Sequence, residues 1–202
     1  MKEEIGFPDT HSKMGNEWPF PAKILHVFLV AGVTFQLITG LMGWCTGRIP
    51  FFTWHTLVGR MLILVIFLQW LWLFCFAQGR SVLMYLFPVS LSGLKSVLQD
   101  VKELMHYKLA DPGPRAGLPG LMHGIFLLSA TLVAAAGLVL FGTFHGWWTG
   151  LPIGLLLQIL RWGAVALALQ WIGHVGMASL HALIGEPLWR IFNLIHCRQK
   201  KS

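Results

Sequence analysis

The chain has 202 residues, of which 55% are hydrophobic and only 11% are charged. A soluble domain carries about a quarter charged residues, so this composition excludes an ordinary soluble fold, and its apolar content excludes a disordered chain. The 15 Lys and Arg outnumber the 8 Asp and Glu, but they lie between and after apolar runs and form no basic, aromatic-interleaved patch. We therefore expect no nucleic-acid partner, and the composition predicts one small polytopic membrane domain.

Four apolar runs are long enough to cross a bilayer, which takes about 20 residues. They are Ala22–Trp44, Phe51–Phe76, Leu118–Phe144 and Ile153–Ile184. Inside lipid the backbone must satisfy its own hydrogen bonds, so runs of this length are expected to be helices. The sequence thus predicts an all-α, integral-membrane four-helix bundle over residues 22–184. A polar N-terminal segment, 1–21, precedes it and a basic tail, 185–202, follows it.

Lys and Arg are distributed unequally between the two sides of this bundle. The side with both termini and the connection between the second and third spans carries twelve of them. The other side carries three, Arg48, Arg60 and Arg161. Because basic residues accumulate on the cytoplasmic side of membrane proteins, we expect both termini to be cytoplasmic and the protein to be a multi-pass protein of a bacterial inner membrane.

The long connection from Ala77 to Gly117 contains a further helical pattern. Apolar residues recur in it at spacings of three and four, with charged residues on other faces; they are Leu91, Leu94, Leu98, Val101 and Met105. This pattern predicts an amphipathic helix at the cytoplasmic membrane interface. Two interpretations are open: the helix covers the ends of its own bundle, or it offers a docking face to a partner subunit.

Histidines stand at informative depths in the predicted spans. On the cytoplasmic side, His26 and His123 lie about one turn inside the first and third spans, His174 lies two to three turns inside the fourth, and His181 lies near the end of the fourth. On the outer side, His55 lies at the start of the second span and His145 at the end of the third, while the remaining three of the 9 histidines fall in the predicted cytoplasmic segments. An ionisable side chain inside the hydrocarbon is a functional hypothesis by default, although hydrogen bonding to a neighbouring helix explains a single one equally well.

Matching depths on different helices favour a haem. A haem held between two helices needs one imidazole from each at the same level, and His26 and His174 meet that requirement. Zinc is less expected because its sites usually add Cys or carboxylate ligands, and no Asp or Glu occurs within any span.

Two arginines lie inside the outer halves of apolar runs. Arg60 is in the second span and Arg161 in the fourth, while all 8 acidic residues fall on the cytoplasmic side. A guanidinium at this depth needs an anion. The candidates are a haem propionate, a lipid phosphate reached by snorkelling, and a partner protein.

Four motifs in chain order point to a family. They are His26 followed by Thr39-Gly40, then His55-Thr-Leu-Val-Gly59, then Leu118-Pro-Gly-Leu-Met-His123 with Gly137, and finally His174-Val-Gly-Met-Ala-Ser-Leu-His181. Together they resemble the bacterial cytochrome b561 and nickel–iron hydrogenase b-type cytochrome family over residues 18–197. That resemblance implies haem b as cofactor, with His26 and His174 as axial ligands of a cytoplasmic-side haem and His55 as a ligand of an outer haem.

The resemblance also implies an outer ligand on the fourth helix, about fourteen residues before His174, where this chain has Leu160. Leu160 cannot bind iron, so either His145 serves in its place or the chain holds a single haem. In the single-haem case His55 is a remnant or a hydrogen-bond donor to a quinone. His123 and His181 are expected beside a propionate or a quinone.

The expected function is electron transfer between haem and a quinone, or a partner redox subunit such as a hydrogenase or dehydrogenase, in a respiratory chain. An iron with two histidine ligands has no free coordination site, which favours electron transfer over oxygen binding. Two alternatives from other classes remain: a self-contained superoxide- or quinone-reacting oxidoreductase, and a non-redox membrane anchor.

Overall fold

The computed structural model describes residues 18–106, 115–150 and 152–183, and every regular element in these ranges is a helix. Six helices follow one another: α1 Phe20–Thr46, α2 Ile49–Cys75, α3 Ala77–Leu86, α4 Leu91–Met105, α5 Leu118–Phe144 and α6 Ile153–Leu183. In the described ranges α1, α2, α5 and α6 are long and apolar enough to cross a membrane, which confirms the four predicted spans to within a few residues. The terminal segments expected on the cytoplasmic side lie almost entirely outside the described residues.

Glycine and proline set the ends of these helices. Gly47 ends α1 in the left-handed conformation (φ 63°) and donates its N–H to the carbonyl of Gly43. Gly at this position costs no Cβ clash. Pro50 stands in the first turn of α2, where its missing N–H has no helical partner to lose. The result is a tight α1–α2 hairpin, and Gly146 and Gly150, both at positive φ, shape the α5–α6 connection.

Small apolar clusters hold the four long helices together. In one cluster each of them contributes buried side chains; the residues are Val33, Leu62, Ile66, Ala130 and Leu167. Halfway along the bundle, the Trp70 indole N–H donates to the Thr131 hydroxyl at 2.9 Å, and Trp171 donates to Thr34 at 3.0 Å. Hydrogen bonds between helices fix their relative register in lipid. Most other large apolar side chains of these helices point outward, as a bilayer environment requires.

The bundle has two distinct ends. At the hairpin end, α1 turns into α2 and α5 turns into α6. At the α3–α4 end, α3 packs against α2 and α5 through Trp72, Leu73, Val82, Leu86 and Leu127. Gly120 and Gly124 of α5 permit this packing, because a Cβ at either position would collide with the backbone carbonyl of Tyr85 or Leu86.

Helix α4 is attached to the start of α5 through its polar face. The Asp100 carboxylate is 3% exposed, accepts the backbone N–H of Leu118 at 2.8 Å and pairs with Arg115 at 2.8 Å. Ser96 donates to the carbonyl of Ala116. A carboxylate at a helix N-terminus is favoured by the helix dipole, so this contact joins the two helices firmly.

The predicted apolar stripe of α4 faces away from the bundle. Its five residues are all exposed, from Leu91 at 81% to Val101 at 39%, so it does not cover the ends of the long helices. α3 and α4 meet at a 51° bend, and together they are also apolar enough to form a broken span.

Candidate functional site

Three histidines from three helices meet at the α3–α4 end. The His26 ring of α1 lies 6.1 Å from the His174 ring of α6 and 5.9 Å from the His123 ring of α5, measured between ring centroids. The His123 and His174 rings are 4.7 Å apart, edge to face. All three are half-buried. The structure therefore places the two expected ligands, His26 and His174, side by side, and adds His123 to them.

The helical hydrogen bonding of His123 determines which of its nitrogens is free. Its Nδ1 lies 2.7 Å from the carbonyl oxygen of Pro119, one turn earlier in α5. A carbonyl only accepts hydrogen bonds, so Nδ1 carries the proton, and the lone pair of a neutral His123 stands on Nε2. This is the tautomer that metal-ligating histidines usually have, since they donate their other ring N–H to a carbonyl or carboxylate.

The separation of these rings fits two imidazoles on opposite sides of one iron atom. A metal-bound imidazole nitrogen lies about 2 Å from the metal, which places the centroids of two opposed rings about 6 Å apart. The His26–His174 and His26–His123 pairs, at 6.1 and 5.9 Å, meet this condition. In the described part of the chain, no group of three or more His, Cys, Asp or Glu is arranged to hold a metal ion directly.

His181 lies two turns beyond His174, close to the end of α6. It is 8% exposed, so it is more deeply buried than any of the three clustered histidines. It lies near the end of the fourth span, as the sequence predicts.

At the hairpin end, the His55 side chain contacts Thr39 and Gly40 of α1. Its Nδ1 lies 3.2 Å from the Thr39 hydroxyl, and that hydroxyl donates its own proton to the Phe35 carbonyl at 2.8 Å. Thr39 is thus left to accept, so Nδ1 of His55 is the donor and Nε2 keeps the lone pair. The ring rests against Gly40, where a Cβ would come within 3.2 Å of it. Thr39 therefore supplies the hydrogen-bond partner of His55, and Gly40 leaves the space that its ring occupies.

His145 does not join His55. It is exposed at the C-terminus of α5, where its Nδ1 lies 2.8 Å from the Phe141 carbonyl and its ring contacts Phe141 and Trp147. Within the described residues the structure gives His55 no second imidazole, so the expected His55–His145 ligand pair is not assembled.

The two intramembrane arginines have aromatic partners. The Arg60 guanidinium lies over the Phe141 ring, 5.2 Å from its centroid, and Arg161 lies over the Trp44 ring at 5.3 Å. Neither pairs with a carboxylate among the residues described. A cation over an aromatic face is electrostatically favourable. The aromatic rings were not among the three partners that the sequence analysis considered for these arginines.

One residue close in sequence to a site histidine carries no recognisable motif. Gln170 stands one turn before His174 and donates to the Ser129 hydroxyl at 3.2 Å, while its buried Oε1 has no hydrogen-bond partner. Thr39 and Pro119 do stand in the motifs, but the motifs do not show the contact of the Thr39 hydroxyl with His55 or that of the Pro119 carbonyl with His123. Only the spacing of four between Pro119 and His123, one helical turn, gave a signal for this contact.

Compared with models of known protein families, with curated proteins and with solved structures, the chain matches none.

Proposed function

We propose that this chain is a membrane b-type cytochrome that binds haem b at the α3–α4 end and passes electrons to or from a quinone or a partner redox subunit. The observation that carries the proposal is the 6.1 Å separation of the His26 and His174 ring centroids. Two imidazoles from different helices at this distance, in an apolar bundle without intramembrane carboxylates, form a donor set suited to haem iron.

The two imidazoles of His26 and His174 are suitable ligands for haem iron. For a porphyrin to fit between them, the His123 side chain must rotate away. The three centroid distances place the His123 ring roughly 4 Å from the midpoint of the His26–His174 pair, where an iron atom held by these two histidines would lie. This is inside the footprint of a porphyrin. Turning His123 away would break its bond to Pro119, which costs about 1–3 kcal/mol where the groups stay buried without a partner.

The chain's own residues would then hold and tune the cofactor. His26 and His174 supply the axial nitrogens, and the apolar clusters of the bundle keep water from the site. A bound haem supplies reversible one-electron chemistry, whose potential depends on axial ligands, nearby hydrogen bonds and burial. The unpartnered Oε1 of Gln170, one turn from His174, is the nearest described polar group on that helix to act on such a ligand.

The hairpin end supports one imidazole and not two. His55 presents a free Nε2 lone pair, which accepts a hydrogen bond from a hydroquinone hydroxyl as readily as it binds a metal. Because His145 is turned to its own helix, we propose a single haem and assign His55 to quinone contact.

Placement in the membrane follows from charge. The sequence assigns twelve Lys and Arg to the side with both termini and the α2–α5 connection, and this favours the α3–α4 end as cytoplasmic, in a bacterial inner membrane. The exposed apolar stripe of α4, with exposed Lys95 and Lys102, supports an interfacial position for this helix. Lysine stems reach headgroups from such a position while the apolar face contacts acyl chains.

The proposal is tested on the purified chain in detergent, by haem content and visible spectrum. We expect a low-spin spectrum with a sharp α-band on reduction, and loss of that haem in His26→Ala. The matched control is His106→Ala, an exposed histidine at the end of α4, which should keep full haem content. A wild-type chain without haem would support the anchor alternative. Turnover of superoxide or quinone by the isolated chain would support the self-contained oxidoreductase.

A further inference from the structure

The cluster at the α3–α4 end holds one more imidazole than a haem needs. His26 lies at the ligation separation from both of its neighbours, 5.9 Å from His123 and 6.1 Å from His174. The His123–His174 separation of 4.7 Å is too short to enclose an iron atom. The geometry therefore makes His26 the constant member of any ligand pair and leaves two imidazoles for the opposite side.

Position does not distinguish His123 from His174, but hydrogen bonding favours His123. The Pro119 carbonyl fixes the proton of His123 on Nδ1 and keeps Nε2 available. Among the described residues, His174 makes no hydrogen bond that would orient its ring. A ligand whose other nitrogen is held in this way binds metal better, and removing such a partner typically weakens binding about 10–100-fold.

We infer that His123 is an alternative axial ligand, so that the haem is held by His26 together with either His174 of α6 or His123 of α5. This inference rests on the proposed function. Each candidate stands inside the porphyrin footprint of the other pair, so the imidazole that does not ligate must leave that plane. The site therefore has two ligation states that differ in which helix carries the second bond.

The test uses the full chain in detergent and compares His26→Ala, His123→Ala, His174→Ala and the double variant His123→Ala/His174→Ala. The readouts are the haem-to-protein ratio and the low-spin ferric signal by electron paramagnetic resonance. We expect each of His123→Ala and His174→Ala to keep at least half of the wild-type low-spin haem, with different g-values. The double variant and His26→Ala should lose that signal.

Loss of low-spin haem in His174→Ala, with a normal elution profile and recovery on adding free imidazole, would overturn the inference, because the fold would be intact and His123 would not be ligating. Low-spin haem retained in His123→Ala/His174→Ala would also overturn it, because neither proposed second ligand would then be needed. A wild-type chain without haem would refute the proposed function itself, which is a separate outcome.

Discussion

Replacing Gly124 by alanine tests the packing that positions the histidine cluster. Gly124 follows His123 in α5, and a Cβ there would collide with the carbonyl of Leu86 and stand 3.0 Å from the Phe87 ring. The obstacle is backbone and not the tip of a flexible side chain, so α5 must move away from α3. A matched control is Gly173→Ala in α6, because no atom lies within 4 Å of the Cβ that it would add.

The two substitutions should have opposite effects on stability. Alanine is favoured over glycine in a helix by about 1 kcal/mol, and this is the whole effect expected at Gly173. At Gly124 an overpacking cost of about 1–3 kcal/mol opposes it, and backbone contact argues for the upper part of that range. We expect Gly124→Ala to lower the free energy of unfolding by about 1–2 kcal/mol, so that the two variants differ by about 2–3 kcal/mol.

Unfolding by a denaturing detergent titrated into mixed micelles measures this difference, with helicity followed by circular dichroism. Haem content measured in the same samples reports whether displacement of α5 reaches His123. Equal stability of Gly124→Ala and Gly173→Ala would contradict the close approach of α3 to α5, and with it the position of His123.

Three further substitutions test other contacts. Thr39→Val removes the hydroxyl that lies 3.2 Å from Nδ1 of His55, so nitrogen NMR of labelled histidine should show the His55 Nδ1 signal move; an unchanged signal would show that the hydroxyl does not contact the ring. Asp100→Asn weakens charge-assisted bonds to Arg115 and to the start of α5 and should cost about 1–3 kcal/mol in the same unfolding assay; full retention of stability would contradict the contact. In a variant lacking other reactive cysteines, a spin label at Leu98→Cys should be more accessible to oxygen than to a water-soluble nickel chelate, and the reverse order would place the face of α4 in water or against a partner.

The four long helices were predictable because their signal is local and redundant. Each is a run of apolar residues longer than a bilayer needs, and glycine or proline stands at the connections α1–α2 and α5–α6. The amphipathic pattern of α4 was equally visible in the sequence. The direction of its apolar face was not, because that depends on Asp100 being held by Arg115 and Leu118, two contacts between segments distant in sequence.

The histidine cluster was predictable only in part. Placement on the same side of different helices suggested that His26 and His174 meet, and the sequence also placed His123 on that side. Depth does not give the rotation of a helix about its axis, however, so the approach of His123 to within 4.7 Å of His174 was not expected. Similarly, Arg60 and Arg161 were expected to need anions, because the aromatic rings beneath them belong to other helices.

The most direct test of the central claim is the haem-to-protein ratio of the purified, fully loaded chain, measured together with its ferric and ferrous visible spectra. One haem b per chain, low-spin in both oxidation states, is the result that the histidine cluster predicts. A chain that holds no haem under loading conditions would contradict the claim. Two haems per chain would contradict the assignment of His55 to a quinone and require a second ligand at the hairpin end.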